Sequence, residues 1–271
     1  MKRSAWMTVA GVFTYVFMLL PVALVIWMAF FRPAFLSFPP NGYSLKWFIG
    51  LTHQPDLFQG LLYSLELAAI TAVVSVALGV LAAVGLSRSR LGARTAFENG
   101  FVLPLVIPAI VSGMALYIYL YTLSGVVQAA LVPTTWALLV AHSVITLPWT
   151  FRLAYAGLVG IGHDVERASL DLGYGPAGTL WHITLPLLRP SLIGAFIFAF
   201  IFSFGDLEIS LFLVAPGQTT LPVAMVQYAR FKVDPTIAAM STVQVALIAI
   251  LLVVANRFIR FGEAFAGGTR Q

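Results

Sequence analysis

Long apolar runs separated by short polar stretches organise this chain. Six runs reach the length of about 20 residues that an α-helix needs to cross a bilayer: Trp6–Phe31, Leu61–Leu86, Gly100–Leu123, Leu131–Phe151, Ser191–Val214 and Ile237–Phe258. The pattern predicts an all-α integral membrane protein with six transmembrane helices and a single transmembrane domain filling residues 1–271. Two connections of moderate size, Arg32–Gly60 and Ala215–Thr236, fall on one side of the membrane. The loop Ser87–Asn99 and a much longer insert, about 153–190, fall on the other. A connection that only reverses direction needs about four to six residues, so an insert of that length is expected to dock something.

The insert carries its own punctuation. Asp164 suits a helix N-cap and Gly173 a helix stop. Gly175-Pro176 restarts a second short helix, and Pro186 and Pro190 are expected to end it before the fifth span. Val165, Ala168 and Leu172 recur at helical spacing and make the first helix amphipathic.

Composition agrees with the span pattern. Hydrophobic residues make up 60% of the chain and charged residues 9%, against about 25% charged in soluble domains. Lys and Arg orient the spans, because cytoplasmic loops retain them. With the N-terminus inside, the cytoplasmic segments hold Lys2, Arg3, Arg88, Arg90, Arg94, Arg152, Arg167, Arg189, Arg257, Arg260 and Arg270. The outer segments hold only Arg32, Lys46, Arg230 and Lys232. Both termini and the long insert are therefore expected in the cytoplasm. The net charge of +5 is an orientation signal; the charges are scattered among loops, and no nucleic-acid surface is expected. The first apolar run exceeds the usual 7–15 residues of a signal peptide core and reads as an uncleaved anchor. The aromatic outer stretch Phe38, Tyr43, Trp47 and Phe48 reads as an interfacial belt or a docking surface.

Several chemistries are missing. The only lysines are Lys2, Lys46 and Lys232, and no phosphate-gripping G-x-x-x-x-G-K-[ST] loop exists. No H-E-x-x-H or EF-hand pattern occurs, cysteine is absent, and His53, His142, His163 and His182 fall in three separate regions. No catalytic constellation and no metal site are expected. Uphill transport would draw its energy from a partner chain.

Two features lie inside the spans. Pro104 and Pro108 with Gly113 predict a kinked third span, a candidate lining of a substrate path. Glu66, Asp206 and Glu208 are carboxylates in apolar surroundings, where a charge costs roughly 2.5–3.5 kcal/mol at mid-membrane. No Lys or Arg accompanies them, so they are candidates for a path taken by a cation. On a regular helix Asp206 and Glu208 would point apart, unless Gly205 distorts it. The alternative is that they hydrogen-bond Ser64, Ser203 or Ser210 within the bundle.

Gly173, nine residues, then Ile183-Thr184-Leu185-Pro186 matches G-x9-I-x-L-P. This resembles the second half of the EAA-loop signature of permease subunits of binding-protein-dependent ABC importers. The first half reads Val165-Glu166-Arg167-Ala168-Ser169-Leu170-Asp171-Leu172-Gly173, similar to LEEAAxDLG except that Arg167 and Ser169 replace the usual Glu and Ala. Further segments resemble the spermidine/putrescine branch: Ser44-Leu45-Lys46-Trp47-Phe48, Ser203 to Ser210, Gln218 to Val223 and Val233 to Ala239.

The resemblance implies a type I ABC importer transmembrane domain in the bacterial cytoplasmic (inner) membrane. It implies an ATPase-coupling loop carried by Glu166, Arg167, Ala168, Ser169, Asp171, Gly173, Ile183, Leu185 and Pro186. It further implies an ATPase dimer that binds ATP and Mg, a second permease subunit of a different chain, a periplasmic or lipoprotein solute-binding protein, and surrounding lipid. The implied cargo is a polyamine or related organic cation. Other branches of the family move phosphonates, opine-like compounds, thiamine or ferric ion. A stand-alone secondary transporter would show inverted repeats and paired ion sites, and an intramembrane enzyme a catalytic pair at matched depth; neither pattern is present.

Overall fold

The computed structural model describes residues 5–35, 39–89, 94–215 and 217–258. The charges at Lys2, Arg3, Arg90, Arg260 and Arg270 and the aromatic Phe38 lie outside the described residues. The described chain is almost wholly helical. Its helices are α1 Ala5–Met28, α2 Lys46–Gly50, α3 Pro55–Arg88, α4 Arg94–Val106, α5 Ala109–Val127, α6 Thr135–Ile161, α7 His163–Asp171, α8 Pro176–Thr179, α9 Leu185–Phe204, α10 Ser210–Leu213, α11 Leu221–Phe231 and α12 Thr236–Phe258. A π turn over Leu180–Thr184 joins α8 to α9 without a break. Six helical stretches are long and apolar enough to cross a membrane: Trp6–Met28, Pro55–Arg88, Ala109–Val127, Thr135–Ile161, Pro176–Phe204 and Thr236–Asn256. Helices suit this medium because they satisfy their own backbone groups where no water can.

Three expectations are corrected. The third span is two helices, not one kinked helix. Pro104 remains inside α4, whereas Pro108 takes an extended conformation (φ −53°, ψ 131°) and opens α5. The fourth helix runs through Pro148 and past Phe151 to Ile161, where Gly162, with φ +74°, stops it. The long insert is correspondingly shorter than the apolar pattern indicated. Finally, Pro186 and Pro190 do not end a helix. The π turn shifts the ladder so that the Leu185 amide bonds to the Leu180 carbonyl five residues back. Pro186 thus enters in the first turn of α9, where its missing N–H is tolerated, and Pro190 stays within the helix.

Contacts divide the chain into two compact units. One contains, among the described residues, 5–35, 39–58 and 224–249. Within it, α1 has no buried side chain along its apolar length, so lipid or another chain must cover it. The aromatic stretch Tyr43 to Phe48 folds back on the end of α1. Trp47 Nε1 donates to the Phe31 carbonyl at 2.7 Å, Trp27 Nε1 donates to the Tyr43 hydroxyl at 3.2 Å, and Phe30 packs on Phe48. Near the start of α12, Asp234 accepts from the Thr236 amide and from the Tyr228 hydroxyl, each at 2.9 Å.

The other unit contains, among the described residues, 59–89, 94–215, 217–223 and 250–258. Its α3–α6 seam relies on small and hydroxylated residues, which let helices approach closely in lipid. Ser75 and Thr146 hydroxyls lie 2.7 Å apart, and Thr150 Oγ1 donates to the Ser75 carbonyl at 2.8 Å. Gly79 sits directly beneath this step: a Cβ there would lie 2.5 Å from Thr150 Oγ1 and 2.8 Å from the Phe151 amide nitrogen. Ala83, Leu86, Phe151, Ala154, Leu158 and Leu188 then fill the space between α3, α6 and α9. Thr134 caps α6 by accepting from the Ala137 amide at 3.1 Å.

Gly79→Val should force α3 and α6 apart, at about 1–3 kcal/mol for overpacking. Thermal unfolding of the purified protein in detergent should show a lower midpoint. Gly85→Val, with open space at its Cβ, serves as the control.

Candidate functional site

The segment between α6 and α9 builds a compact knob from its own hydrogen bonds. Helix α7 starts one residue before the expected cap. Gly162 is its N-cap and makes no side-chain bond, and Asp164 sits in the first turn, where a negative charge favours the helix end. The helix closes with Gly173 at φ +91°. The Gly173 amide bonds to the Leu170 carbonyl and the Tyr174 amide to the Ser169 carbonyl, the paired bonds of a Schellman stop. The chain then re-enters a helix at Pro176.

The orientation of α7 inverts the usual amphipathic rule. Its inward side is polar. Glu166 Oε1 accepts from Thr184 Oγ1 at 2.7 Å and from Arg88 Nη2 at 2.9 Å. Ser169 is buried and meets the buried Thr179 hydroxyl at 3.0 Å. One carboxylate therefore links the end of α3, the helix α7 and the turn leading into α9. Its apolar residues face out instead: Val165, Leu170 and Leu172 are exposed, Leu172 by 82%, and so are Tyr174 and Trp181 nearby. Arg167, Ala168 and Asp171 are also exposed. Ile183, Leu185 and Pro186 are half-buried where the knob joins α9. The sequence marks Arg88 only as an orienting charge, Thr184 only as part of the Ile183–Pro186 motif and Thr179 not at all, since nothing in their spacing announces a partner so far along the chain.

A second polar cluster lies among the spans. The fifth span breaks after Phe204, as Gly205 allowed, and resumes at Ser210. Asp206 Oδ2 accepts from the Ser210 amide at 2.9 Å and its hydroxyl at 3.0 Å. His142 on α6 is fully buried and bridges the break. Its Nδ1 lies 2.8 Å from Ser203 Oγ, and its Nε2 lies 3.0 Å from Ser210 Oγ and 3.6 Å from Asp206 Oδ2. Asp206 thus has a nearby imidazole that the search for Lys and Arg overlooked. Glu66 and Glu208 are exposed, and neither makes a hydrogen bond or ion pair among the described residues. Gly113 on α5 packs closely against Glu208, Ile209 and Phe212: a Cβ there would lie 3.0 Å from the Ile209 Cα and 3.4 Å from the Glu208 carbonyl oxygen. A further acid, Glu98 on α4, accepts from the Tyr155 hydroxyl beside a cavity of about 540 Å³ that Asn99 and Arg152 also line.

Removing His142 leaves buried hydroxyls and a carboxylate short of partners, at about 1–3 kcal/mol. His142→Ala should lower the unfolding midpoint in detergent more than His182→Ala, whose ring is exposed.

Residues 75–263 match the family described as the binding-protein-dependent transport system inner membrane component. The chain is 27% identical over 250 residues to the putrescine transport system permease protein PotI of Escherichia coli, covering 92% of this chain and 89% of PotI. It is 30% identical over 255 residues to a protein named as the 2-aminoethylphosphonate transport system permease PhnV of Salmonella typhimurium, covering 94% of each. Among solved structures, a chain of a bacterial ABC transporter that imports the acidic polysaccharide alginate superposes with a TM-score of 0.73 at 15% identity, covering 94% of this chain and 93% of that one. A chain of the methionine transporter MetNI superposes with a TM-score of 0.61 at 20% identity, covering 77% of this chain and 97% of that one. The fold is that of a type I importer transmembrane domain, and the chain belongs to the binding-protein-dependent permeases of ABC importers: non-catalytic, multi-pass inner-membrane components that work with an ATPase and a solute-binding protein.

Proposed function

We propose that this chain, acting as one transmembrane domain, is half of a translocation path. It pairs with a second, different permease chain, has both termini in the cytoplasm, and receives the ATPase dimer on the α7 knob. The observation that carries this reading is the inside-out helix: Glu166 and Ser169 fasten it from within, while Val165, Leu170 and Leu172 stand exposed. Exposed apolar side chains on a knob fastened from within fit a protein partner. ATP and Mg bind to the partner ATPase. Closure of that dimer moves α7, and Glu166 passes the movement to α3 through Arg88 and to α9 through Thr184. The spans then alternate between outward and inward access, driven by the difference in contacts that each nucleotide state makes with the knob.

The proposed cargo is a small aliphatic amine, a polyamine such as putrescine or spermidine in the first place. PotI, and the spermidine/putrescine permease PotC of Haemophilus influenzae at 25% identity, support this. So do the exposed carboxylates of Glu66 and Glu208, placed in the outward halves of their spans under this orientation. Asp206, held by Ser210, fixes the break in the fifth span. The PhnV relatives favour 2-aminoethylphosphonate as a second reading, and it shares a primary ammonium group with putrescine.

Four measurements check these statements. Leu172→Asp should cut ATPase co-purification about tenfold by placing a charge in an apolar contact, and equal recovery would remove the docking role. Single cysteines suit this cysteine-free chain: a membrane-impermeant maleimide should label Lys232→Cys in intact cells and Asp171→Cys only after permeabilisation. In the complete complex, Glu208→Gln should raise the apparent KM for putrescine several-fold by removing a charge-assisted contact. Ligand-induced thermal shifts of the partner binding protein with putrescine and 2-aminoethylphosphonate decide between the two cargoes.

A further inference from the structure

The outermost stripe of α7 has a charge order that the coupling reading alone does not require. On a helix, residues at i, i+3 and i+7 share one face. Asp164, Arg167 and Asp171 occupy such positions, and all three are exposed. They lie away from the inward pair Glu166 and Ser169, and beside the apolar stripe Val165, Ala168 and Leu172. The outward surface of the knob therefore reads minus, plus, minus along one edge of an apolar strip. Arg167 is 76% exposed and Asp164 98% exposed, and their 3.7 Å contact is a loose solvent-facing pair. Such a pair contributes little to the helix itself. The Arg88–Glu166 pair differs: it is shorter, at 2.9 Å, and less exposed, and it holds the knob together.

We infer that this stripe is a key for the cognate ATPase subunit. The groove that receives α7 should present the complementary order plus, minus, plus, with an acidic side chain opposite Arg167. The inference rests on the α7 knob being the ATPase dock. Charge order of this kind sets register and excludes wrong partners more than it adds affinity, because a like charge brought opposite costs several kcal/mol once water is excluded. Arg167 is suited to the central position, since its planar fork grips a carboxylate with two bonds and keeps its charge at any cellular pH. A noncognate groove with a cation opposite position 167 would meet Arg167 as a repulsive charge. This chain should therefore discriminate among the ATPases of a cell that holds several importers.

The test uses the whole transporter, with a tag on the ATPase and the co-purified permease quantified in detergent. Arg167→Glu should reduce recovery by about tenfold or more, Arg167→Lys should retain it within about threefold, and a groove acid changed to Arg should restore the Arg167→Glu variant. Arg167 points to water, so normal membrane levels of each variant should show that folding is intact. Equal recovery of Arg167→Glu and the native chain would overturn the key and leave the stripe as a solvated face. Leu172→Asp separates the two levels. If it alone abolishes recovery, the dock stands and the key fails; if neither variant matters, the dock fails as well.

Discussion

Everything in the membrane-spanning part of this protein is constrained by the absence of water to satisfy polar groups. The long helices are the first consequence, and the handling of side chains is the second. Ser75, Thr146 and Thr150 pair across α3 and α6, next to a glycine that lets the two backbones touch. Where the fifth span must break, His142 spans the gap, with each ring nitrogen placed on a serine and Asp206 close by. The break is thereby held in one geometry.

The knob at α7 obeys the opposite rule. It stands in water under the proposed orientation, yet its buried contacts are polar, and Val165, Leu170 and Leu172 stand exposed beside Asp164, Arg167 and Asp171. A helix that served only its own fold would bury Leu172 and expose Glu166. Here Glu166 collects Arg88 and Thr184, so the knob is fastened by directional bonds to two helices of the bundle. Directional bonds fix orientation as well as distance. The Schellman stop at Gly173 and the π turn before Pro186 serve the same end by fixing where α7 ends and where α9 begins.

Number and approximate placement of the spans were legible in the chain because hydrophobic length alone decides them. The knob was legible too, since Gly173, Gly175 and Pro176 act locally on the backbone and each took its expected role. Local rules misled at Pro108, Pro186 and Pro190. A proline removes one donor, but whether the helix stops depends on what the preceding turn can do. At Pro108 the chain breaks; at Pro186 a π turn re-registers the ladder and the helix continues.

The sequence by itself determined a six-span membrane protein and a punctuated insert without a phosphate-gripping loop motif, and its Lys and Arg distribution set an expected orientation. These follow from hydrophobic length, charge count and residues with restricted backbones, all of which act within a few neighbours. Only the tertiary structure decided that Glu166 turns inward while Leu172 turns outward, that His142 sits on Ser203, Ser210 and Asp206, and that Glu66 and Glu208 remain exposed. Those facts depend on which face of each helix meets another helix distant in the chain, and no local spacing encodes that.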